Sequence, residues 1–304
     1  MLVLVNGLPL FSKRLVKDLN SLDKKNTYFF ADTYYSSWQK IRFLLLLPFC
    51  KIVISFNGVS DQSGSLNWVL RFKKKMMMQW QGTDVLLAVE RFKMGSIQKK
   101  YIDNAIHFTD APWLKDELKE IAPNIRILNF KHLEFQQNST QYKNQSVLSY
   151  MGKGRENFYG FQAFKYAAEK FPTVAFHIIG SDGKGLESLP NITFHGWVSE
   201  DQVKRMMIET PIFVRLVEHD GNSISVIEAL GNGCEVIWSY PNENCFLAKT
   251  GNELAQVLKD VMLLVENRNN LPNEENYLFV KENYQKEYVI GNYIKEINEF
   301  ANKK

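Results

Sequence analysis

The residues whose types and spacing best suit chemistry lie in one stretch around residue 220. Asp220 and Glu228 are two carboxylates eight positions apart, and Gly221, Asn222 and Ser223 directly follow the first. These turn and N-cap residues predict the start of a helix, whose unpaired N–H groups and positive dipole end attract anions and hydroxyl groups. Side chains on a helix lean towards its N-terminus, so Glu228 can reach back to a ligand at the turn. Two carboxylates beside such amides suit a ligand with several hydroxyls and a phosphate, such as a sugar nucleotide.

The elements that must position this stretch are a strand before it and a helix after it. Residues 211–217 form a short apolar run rich in β-branched side chains, which predicts a buried strand. Ile224, Ile227 and Leu230 then recur on one helical face, and Gly231-Asn232-Gly233 ends the helix. The bland alternative is a capped helix after a strand, with two incidental acids.

The stretch resembles the signature of retaining glycosyltransferases of the GT4 type, which have the GT-B fold. In that family the first acid, usually Glu, contacts the transferred sugar, and the second holds the ribose hydroxyls of the nucleotide. The resemblance therefore implies a sugar-binding role for Asp220 and for the amides of Gly221, Asn222 and Ser223, and a ribose-binding role for Glu228. Asp220 departs from the family pattern because its side chain is one methylene shorter than Glu.

A second motif follows the predicted strand 146–151, in the turn that contains Gly152, Lys153 and Arg155. In the resembling family this turn carries an Arg and a later Lys that neutralise the donor diphosphate. Lys153 matches the Arg position; the later Lys falls near Tyr159, so Arg155 is the only nearby replacement. A cation suits this place because the departing diphosphate gains negative charge. The alternative is a pair of surface cations on a loop.

Trp197 and Val198 lie in a turn that, in the family, runs beside the nucleobase. Trp197 either stacks on the base or belongs to the core, and we expect a place in the core or in a wall of the site. In the first half of the chain, Gln81-Gly82-Thr83-Asp84 resembles a His-Gly-Thr-Asp turn on the acceptor side of such enzymes. Gln81 cannot titrate as His would, and Asp84 either serves the site or only caps the next helix.

The acceptor side also includes Gly7, in the turn after the first predicted strand. It permits the close approach of a ligand or of the other domain. No G-x-G-x-x-G pattern accompanies it, so a dinucleotide fingerprint is not supported.

The order of elements predicts an α/β protein of the GT-B class, with two doubly wound Rossmann-like domains facing across a cleft. Both halves alternate strands and helices, with polar turns at the strand ends. We expect an N-terminal acceptor-side domain over 1–133, a polar linker over 134–145 and a nucleotide-sugar domain over 146–273. By resemblance, the helices of 274–304 pack back onto the first domain.

Charge is unevenly distributed along the 304 residues, although the net charge is only +4. Residues 1–140 hold 20 basic and 12 acidic side chains, and the rest hold 17 and 21. The basic first half, densest at Arg71–Lys75, favours a salt-sensitive contact with anionic membrane lipid, the alternative being a solvated loop. No nucleic-acid motif accompanies it, so no nucleic-acid partner is expected.

Three further features bear on location. The most apolar run, Phe43–Cys50, is too short to span a bilayer and is expected to be buried. The three cysteines are few, odd in number and without metal-ligand spacing, which fits free thiols in a reducing compartment. The expected location is the cytoplasm, with a peripheral position at the inner face of the membrane.

The sequence thus predicts a retaining, metal-independent glycosyltransferase that needs no cofactor. Its expected partners are a nucleotide-sugar donor and a glycan or lipid-linked acceptor. Asp220, Lys153 and Arg155 are the catalytic candidates, and no Asp-x-Asp metal motif occurs. Two alternatives remain: a non-catalytic sugar-nucleotide-binding subunit that needs a partner, and a nucleotide-sugar epimerase of the same fold.

Overall fold

The chain forms two compact units in a computed structural model that describes residues 1–134 and 137–303. The first unit comprises residues 1–132 and the C-terminal segment that begins at Lys286. The second unit comprises residues 133–285.

Strands and helices alternate through the first unit, as the sequence predicts. Its elements are β1 (Leu2–Asn6), α1 (Pro9–Leu22), β2 (Thr27–Phe30), α2 (Ser37–Leu46), β3 (Cys50–Phe56), α3 (Gly64–Arg71), β4 (Lys75–Trp80), α4 (Thr83–Lys93), α5 (Lys99–Ile102), β5 (Ala105–Thr109), α6 (Pro112–Leu118) and β6 (Arg126–Ile127). A short 3-10 turn, Leu47–Phe49, joins α2 to β3.

The second unit repeats this alternation. Its elements are β7 (Ser146–Tyr150), α7 (Phe161–Lys170), β8 (Ala175–Ile179), β9 (Ile192–Phe194), α8 (Glu200–Glu209), β10 (Ile212–Arg215), α9 (Ile224–Gly231), β11 (Glu235–Trp238), β12 (Cys245–Leu247), α10 (Gly251–Asn267) and α11 (Glu274–Asn283). The last helix, α12 (Lys286–Asn302), belongs to the first unit.

Each unit is built on a parallel sheet of six strands among the described residues. The first sheet has the order β2-β1-β3-β4-β5-β6 and the second the order β12-β11-β10-β7-β8-β9. All paired strands are parallel, and the central ones are buried apolar runs, as expected for sheets covered by helices. Two doubly wound Rossmann-like domains, as the sequence predicts, are therefore present.

Each sheet reverses its winding direction beside its first strand. In the first unit the chain winds from β1 to β2 on one side and continues from β3 on the other. In the second unit it runs from β7 through β8 to β9, then continues at β10 on the opposite side of β7. Ligands of open α/β sheets bind at such switch points, outside the carboxyl ends of the strands.

The predicted linker over 134–145 is wrong in part. Tyr142 is buried in the second unit, where its backbone N–H donates to Asn270 O at 2.8 Å and its hydroxyl donates to Gly233 O at 3.3 Å. An aromatic ring inside this polar stretch anchors it to the domain that follows. Phe135 and Gln136 of the linker lie outside the described residues.

The prediction for the C-terminal helices of 274–304 is also wrong in part, because α11 stays in the second unit and packs against α9. Asn276, buried on α11, donates to Cys234 O at 2.8 Å. Only α12 belongs to the first unit, where Ile290, Tyr293 and Ile297 join the core on the α1 side of the sheet.

The apolar run Phe43–Cys50 is not buried throughout, contrary to the prediction. Phe43, Leu47 and Cys50 are buried, but Leu45 and Phe49 are exposed. The run lies mostly in α2 and the turn after it, so its side chains point in several directions around the helix axis. No helix among residues 1–134 and 137–303 is long and apolar enough to cross a membrane.

Asp18 on α1 contacts both ends of the first unit's two segments: His132, where the first segment ends, and Lys286, where the second begins. Its Oδ2 lies 2.8 Å from His132 Nε2, and its Oδ1 accepts from Lys286 Nζ at 2.8 Å. Burial acts to raise the pKa of Asp18, but the hydrogen bonds from Lys286 and His132 outweigh it and hold the pKa below its ordinary value of 3.8.

We expect Asp18→Asn to lower the free energy of unfolding at pH 7 by about 2 kcal/mol, since two contacts to a charged group are weakened. A depressed folded-state pKa contributes stability that is complete above the unfolded value and lost as pH falls through the lower folded value. The difference between Asp18→Asn and wild type, measured by calorimetry, should therefore shrink below about pH 4. Asp61→Asn, which breaks the exposed pair with Arg91, is the control, and its effect should stay within about 0.5 kcal/mol. Equal effects of the two variants would contradict a fastening role for Asp18.

Candidate functional site

The structure brings the two main sequence motifs together at the switch point of the second sheet. β7 and β10 are neighbours, with Ser149 opposite Val214, so their carboxyl ends lie side by side. The turn with Lys153 and Arg155 leaves β7, and the turn with Asp220 leaves β10. Two motifs about 65 residues apart in sequence therefore share one edge of one sheet.

The turn after β10 is held in place by the end of β11. Ser239 Oγ accepts from Val217 N at 3.1 Å and donates to Val217 O at 2.9 Å. The Tyr240 hydroxyl accepts from Asp220 N at 3.3 Å and lies 3.2 Å from Glu218 O. These contacts leave the turn little freedom, which suits a loop that must present backbone amides in a fixed geometry.

The helix that follows begins as the sequence predicts, with Ser223 at the N-cap. Ser223 has an extended backbone but makes no side-chain cap, and its Oγ lies 3.0 Å from Ser225 Oγ. The side chain of Asn222 is buried and donates to the Tyr284 hydroxyl at 3.3 Å. Glu228 is half-buried on α9, five residues after the N-cap. The Ser223 side chain thus does not cap the amides at the start of α9.

Arg215, at the end of β10, is a candidate site residue that the sequence reasoning missed. It is buried, and its Nε donates to Asp220 Oδ2 at 2.8 Å. Its guanidinium lies 5.0 Å from the centre of the Tyr159 ring and 5.8 Å from that of Tyr150. Its Nη1 is buried without a hydrogen-bond partner among the described residues. An unsatisfied buried N–H of a cation is costly, and an anionic ligand would remove that cost.

One signal in the sequence could have identified Arg215. It is the one charged residue in the otherwise apolar run 211–217, and arginine is almost never fully buried unless it is paired. The structure adds that Arg215 lies against Tyr159, near which the later Lys of the resembling family falls.

The turn after β7 carries the two predicted cations in different environments. Lys153 Nζ is 2.6 Å from Asp182 Oδ2, and both side chains are largely exposed. The hydrogen bond to Asp182 raises the pKa of Lys153, which therefore stays charged. The guanidinium of Arg155 stacks 4.2 Å from the centre of the Phe158 ring. Gly152 faces Tyr159, whose ring would lie 3.1 Å from an added Cβ, so a larger residue would crowd the turn.

Trp197 is not part of the core, which corrects that part of the prediction. It is 87% exposed, and Val198 beside it is half-buried. The reason is the backbone: β9 ends at Phe194, and Gly196 adopts a φ of +66° that turns the chain outwards. A wholly exposed indole near the end of β8 remains compatible with stacking on a flat ligand.

The acceptor-side residues of the first unit differ in what their side chains do. The Asp84 carboxylate is buried and accepts backbone N–H groups of Gly58, Gln81, Gly82 and Val85, so it serves the turn itself. Burial raises the pKa of Asp84 despite these donors. Gln81 Nε2, in contrast, is buried without a partner among the described residues. Of the two, Gln81 is the group with bonding capacity left for a ligand.

Gly7 has a packing reason for its identity. Its φ is +90°, and an added Cβ would lie 1.9 Å from Phe56 O at the end of β3. The close approach that the sequence predicted is therefore to the neighbouring strand. The ligand-binding roles of all these residues stay predictions.

No family model matches this chain, and a search of curated proteins finds no relative. Solved structures do match it. A sucrose-phosphate synthase from Thermosynechococcus elongatus is 12% identical, with a TM-score of 0.71 over 98% of both chains. HepE from Anabaena, solved in complex with UDP and glucose, is 9% identical, with a TM-score of 0.68 over 98% of this chain and 100% of HepE.

The pneumococcal O-GlcNAc transferase GtfA, solved in complex with UDP and GlcNAc, is 13% identical, with a TM-score of 0.61 over 87% of this chain. This chain spans only 60% of GtfA and 55% of TarM, another similar structure. At such low identities the likeness shows the fold alone. That fold is GT-B, as the resemblance predicted.

Proposed function

We propose that this chain is a nucleotide-sugar-dependent glycosyltransferase that retains the configuration of the sugar and needs no metal ion. One observation carries the proposal: the Lys153–Arg155 turn and the Asp220–Glu228 stretch meet at the switch point of one sheet, around the buried cation of Arg215. The matching structures solved with UDP, HepE and GtfA, support a nucleotide as the ligand.

The roles follow from charge and position. Arg215, Lys153 and Arg155 supply the positive charge that a diphosphate leaving group requires as its bond to the sugar breaks. Glu228 accepts hydrogen bonds from the ribose hydroxyls, and the amides of Gly221 to Ser223, with Asp220, hold the sugar. Trp197 and Val198 lie beside the base, and Gln81 binds the acceptor in the first unit. Catalysis is then mostly positioning and electrostatic stabilisation.

The acceptor is a glycan or a lipid-linked sugar, and the reaction takes place in the cytoplasm. The three cysteines are free thiols, two of them buried, as in proteins of reducing compartments. In the transfer the bond between the anomeric carbon and the diphosphate oxygen breaks. A bond to the acceptor oxygen forms on the same face, and the proton of the acceptor hydroxyl passes to the departing diphosphate.

The first test is a thermal-shift panel of the full chain with UDP-, GDP-, ADP- and dTDP-sugars, each in EDTA and then in Mg²⁺. A ligand that binds only the folded state stabilises it by mass action, by about 2.7 kcal/mol at one hundred times its Kd. We expect one nucleotide class to raise the melting temperature equally in EDTA and in Mg²⁺. A shift that requires Mg²⁺ would contradict metal independence, and no shift with any donor would contradict the donor site.

The second test follows the fate of the bound donor by NMR. Transfer or hydrolysis that releases the sugar with unchanged anomeric configuration supports a retaining glycosyltransferase. Interconversion of the donor without an acceptor would instead identify an epimerase. Binding without turnover over a panel of acceptors would identify a sugar-nucleotide-binding subunit.

A further inference from the structure

The outward side of α2 is apolar, which is unusual for a helix on the surface of a domain. Phe43 on this helix is fully buried against the sheet. Trp38, Ile41 and Leu45 lie on the opposite side of the helix, at i, i+3 and i+7, and are 69%, 50% and 66% exposed. A helix that only covers its own sheet needs one apolar face. The second apolar face of α2 is exposed and does not cover the sheet.

Neighbouring exposed side chains extend this apolar face. Phe49, in the turn after α2, is 78% exposed, and Trp68 and Phe72 at the end of the adjacent helix α3 are also exposed. Lys74 Nζ, just beyond α3, donates to Pro48 O at 2.7 Å and so ties the two helix ends together. We call Trp38, Ile41, Leu45, Phe49, Trp68 and Phe72 the α2 surface. Contiguous apolar groups of this extent mark interaction sites, since their exposure to water is unfavourable.

The surroundings of the α2 surface are strongly basic. From Asp32 to Asp84 the chain has seven Lys and Arg residues and three acids, a net charge of +4. Asp84 is buried, and Asp32 lines a surface pocket together with Arg42. Asp61 is itself paired with Arg91 at 3.0 Å. Lys40 and Arg42 are exposed on α2, on either side of its exposed apolar face. The side chains of Arg71 and Lys73 are exposed at the end of α3. We call these four cations the basic rim.

Lys75 does not belong to this basic rim, although it completes the Lys73–Lys75 run in the sequence. Its Nζ donates to Phe300 O and to Ala301 O, at 2.9 and 3.2 Å, and to Lys303 O. It therefore binds the carbonyl groups at the end of α12 within the first unit. Neutralising Lys75 would disturb the fold, so Lys40, Arg42 and Lys73 are the side chains to test.

We propose that the α2 surface binds an anionic phospholipid bilayer, with α2 lying in the plane of the interface. Trp38, Ile41 and Leu45 then enter the boundary between headgroups and acyl chains, and the flanking cations contact the lipid phosphates. An apolar face with Trp, bordered by Lys and Arg and free of acids, is the composition of interfacial helices. The long stems of Lys and Arg allow their charges to reach the headgroups while the apolar side chains are buried.

The positive charge of the basic rim favours an anionic bilayer over a second copy of this chain as the binding partner of the α2 surface. Two copies that met through their α2 surfaces would bring two basic rims together with fewer acids than cations, which is repulsive. An anionic bilayer supplies many negative charges over the whole area of the surface. This binding does not depend on the proposed transferase activity, but it would bring the first unit to lipid-linked acceptors.

The test is flotation of the full chain with vesicles of phosphatidylcholine, with and without 30% phosphatidylserine, at low and high salt. Wild type should bind only the anionic vesicles and should be released by salt. Trp38→Ser/Ile41→Ser/Leu45→Ser should lower the partition coefficient at least about tenfold, because the inserted area is lost. Lys40→Gln/Arg42→Gln/Lys73→Gln should lower it by up to about 100-fold at low salt.

Matched controls carry the same kinds of substitution on the second unit. Leu263→Ser/Leu264→Ser changes two exposed leucines of α10, and Lys204→Gln/Arg205→Gln/Lys259→Gln removes three exposed cations. Both should bind like wild type, and all variants should keep the wild-type circular dichroism and melting temperature. Quenching of tryptophan fluorescence by brominated lipid should depend on Trp38, so Trp38→Phe should reduce it.

Three results would overturn the proposal. The first is absence of wild-type binding to the anionic vesicles. The second is equal binding of the α2 variants and their controls. The third is a dimer on gel filtration that dissociates in the Trp38→Ser/Ile41→Ser/Leu45→Ser variant, which would identify a second copy as the occupant.

Discussion

Replacing Arg215 with glutamine is expected to lower the turnover of the sugar donor by about 100- to 1,000-fold, the loss found when one preorganised donor to a developing anion is removed. The reason lies in its position: a buried guanidinium with an unpartnered Nη1 stands between the two turns that meet at the sheet edge. A fixed cation in a site of low dielectric stabilises the departing diphosphate more than a mobile surface cation can. Steady-state kinetics with the nucleotide sugar identified by thermal shift measures this effect.

A purely structural role for Arg215 must be separated from a catalytic one, because Arg215 also neutralises Asp220. Arg215→Gln leaves that carboxylate without its guanidinium and so is expected to lower stability as well. The double variant Arg215→Gln/Asp220→Asn is therefore compared with Asp220→Asn, because Asp220 is itself a catalytic candidate. If Arg215 acts on the diphosphate, the double variant should turn over about 100- to 1,000-fold more slowly than Asp220→Asn. Equal turnover of these two variants would show that Arg215 acts only through Asp220.

The control for Arg215 is Arg126→Gln in the first unit. Arg126 also pairs with a carboxylate, Glu296, through contacts of 2.7 and 2.8 Å, but it is exposed and far from both turns in sequence. Its replacement should change turnover less than twofold. Arg215→Lys is informative as well, since it keeps the charge but loses the planar fork that a diphosphate fits. We expect its turnover to lie between those of wild type and Arg215→Gln.

Replacing Glu228 with alanine is expected to weaken binding of the nucleoside diphosphate by about 10- to 100-fold, as a charge-assisted hydrogen bond to a ribose hydroxyl is lost. Glu228 is half-buried on α9, and helical side chains lean towards the helix start, whose amides are proposed to bind the sugar. Titration calorimetry gives the dissociation constants. Glu209→Ala, an exposed acid at the end of α8, is the control and should bind like wild type.

Ribose recognition by Glu228 can be tested with 2′-deoxy and 3′-deoxy analogues of the same nucleotide. Wild type should bind the analogue that lacks the contacted hydroxyl as weakly as Glu228→Ala binds the parent nucleotide. Glu228→Ala itself should no longer distinguish the two, since the two changes remove the same bond. If Glu228→Ala still discriminated against the deoxy analogues as strongly as wild type, the assignment of Glu228 to the ribose would be wrong.

Local sequence signals were sufficient for the fold class and for the position of the central motif. Apolar runs, turn residues and the Gly231–Gly233 helix end predict the strand–turn–helix unit around Asp220, and the structure contains β10, that turn and α9. Such signals are reliable because turn chemistry and side-chain periodicity act over a few residues. The same local reasoning predicts the alternation of strands and helices in both halves.

The features that local reasoning missed depend on contacts between distant segments. Arg215 becomes a candidate for the site only because β7 and β10 are neighbours, which places Tyr150 and Tyr159 beside it. Tyr142 and Asn276 attach the predicted linker and α11 to the second unit through partners far along the chain.

Burial likewise cannot be read from hydrophobicity alone, as Trp197 and the α2 surface show. Trp197 is exposed because Gly196 turns the backbone outwards, and Leu45 is exposed because Phe43 on the same helix already faces the sheet. By itself, then, the sequence determined the elements, their order and the chemistry of the turns. Only the tertiary structure decided which charges and apolar groups are buried together or left in water, because burial is set by the packing of segments that lie far apart in the chain.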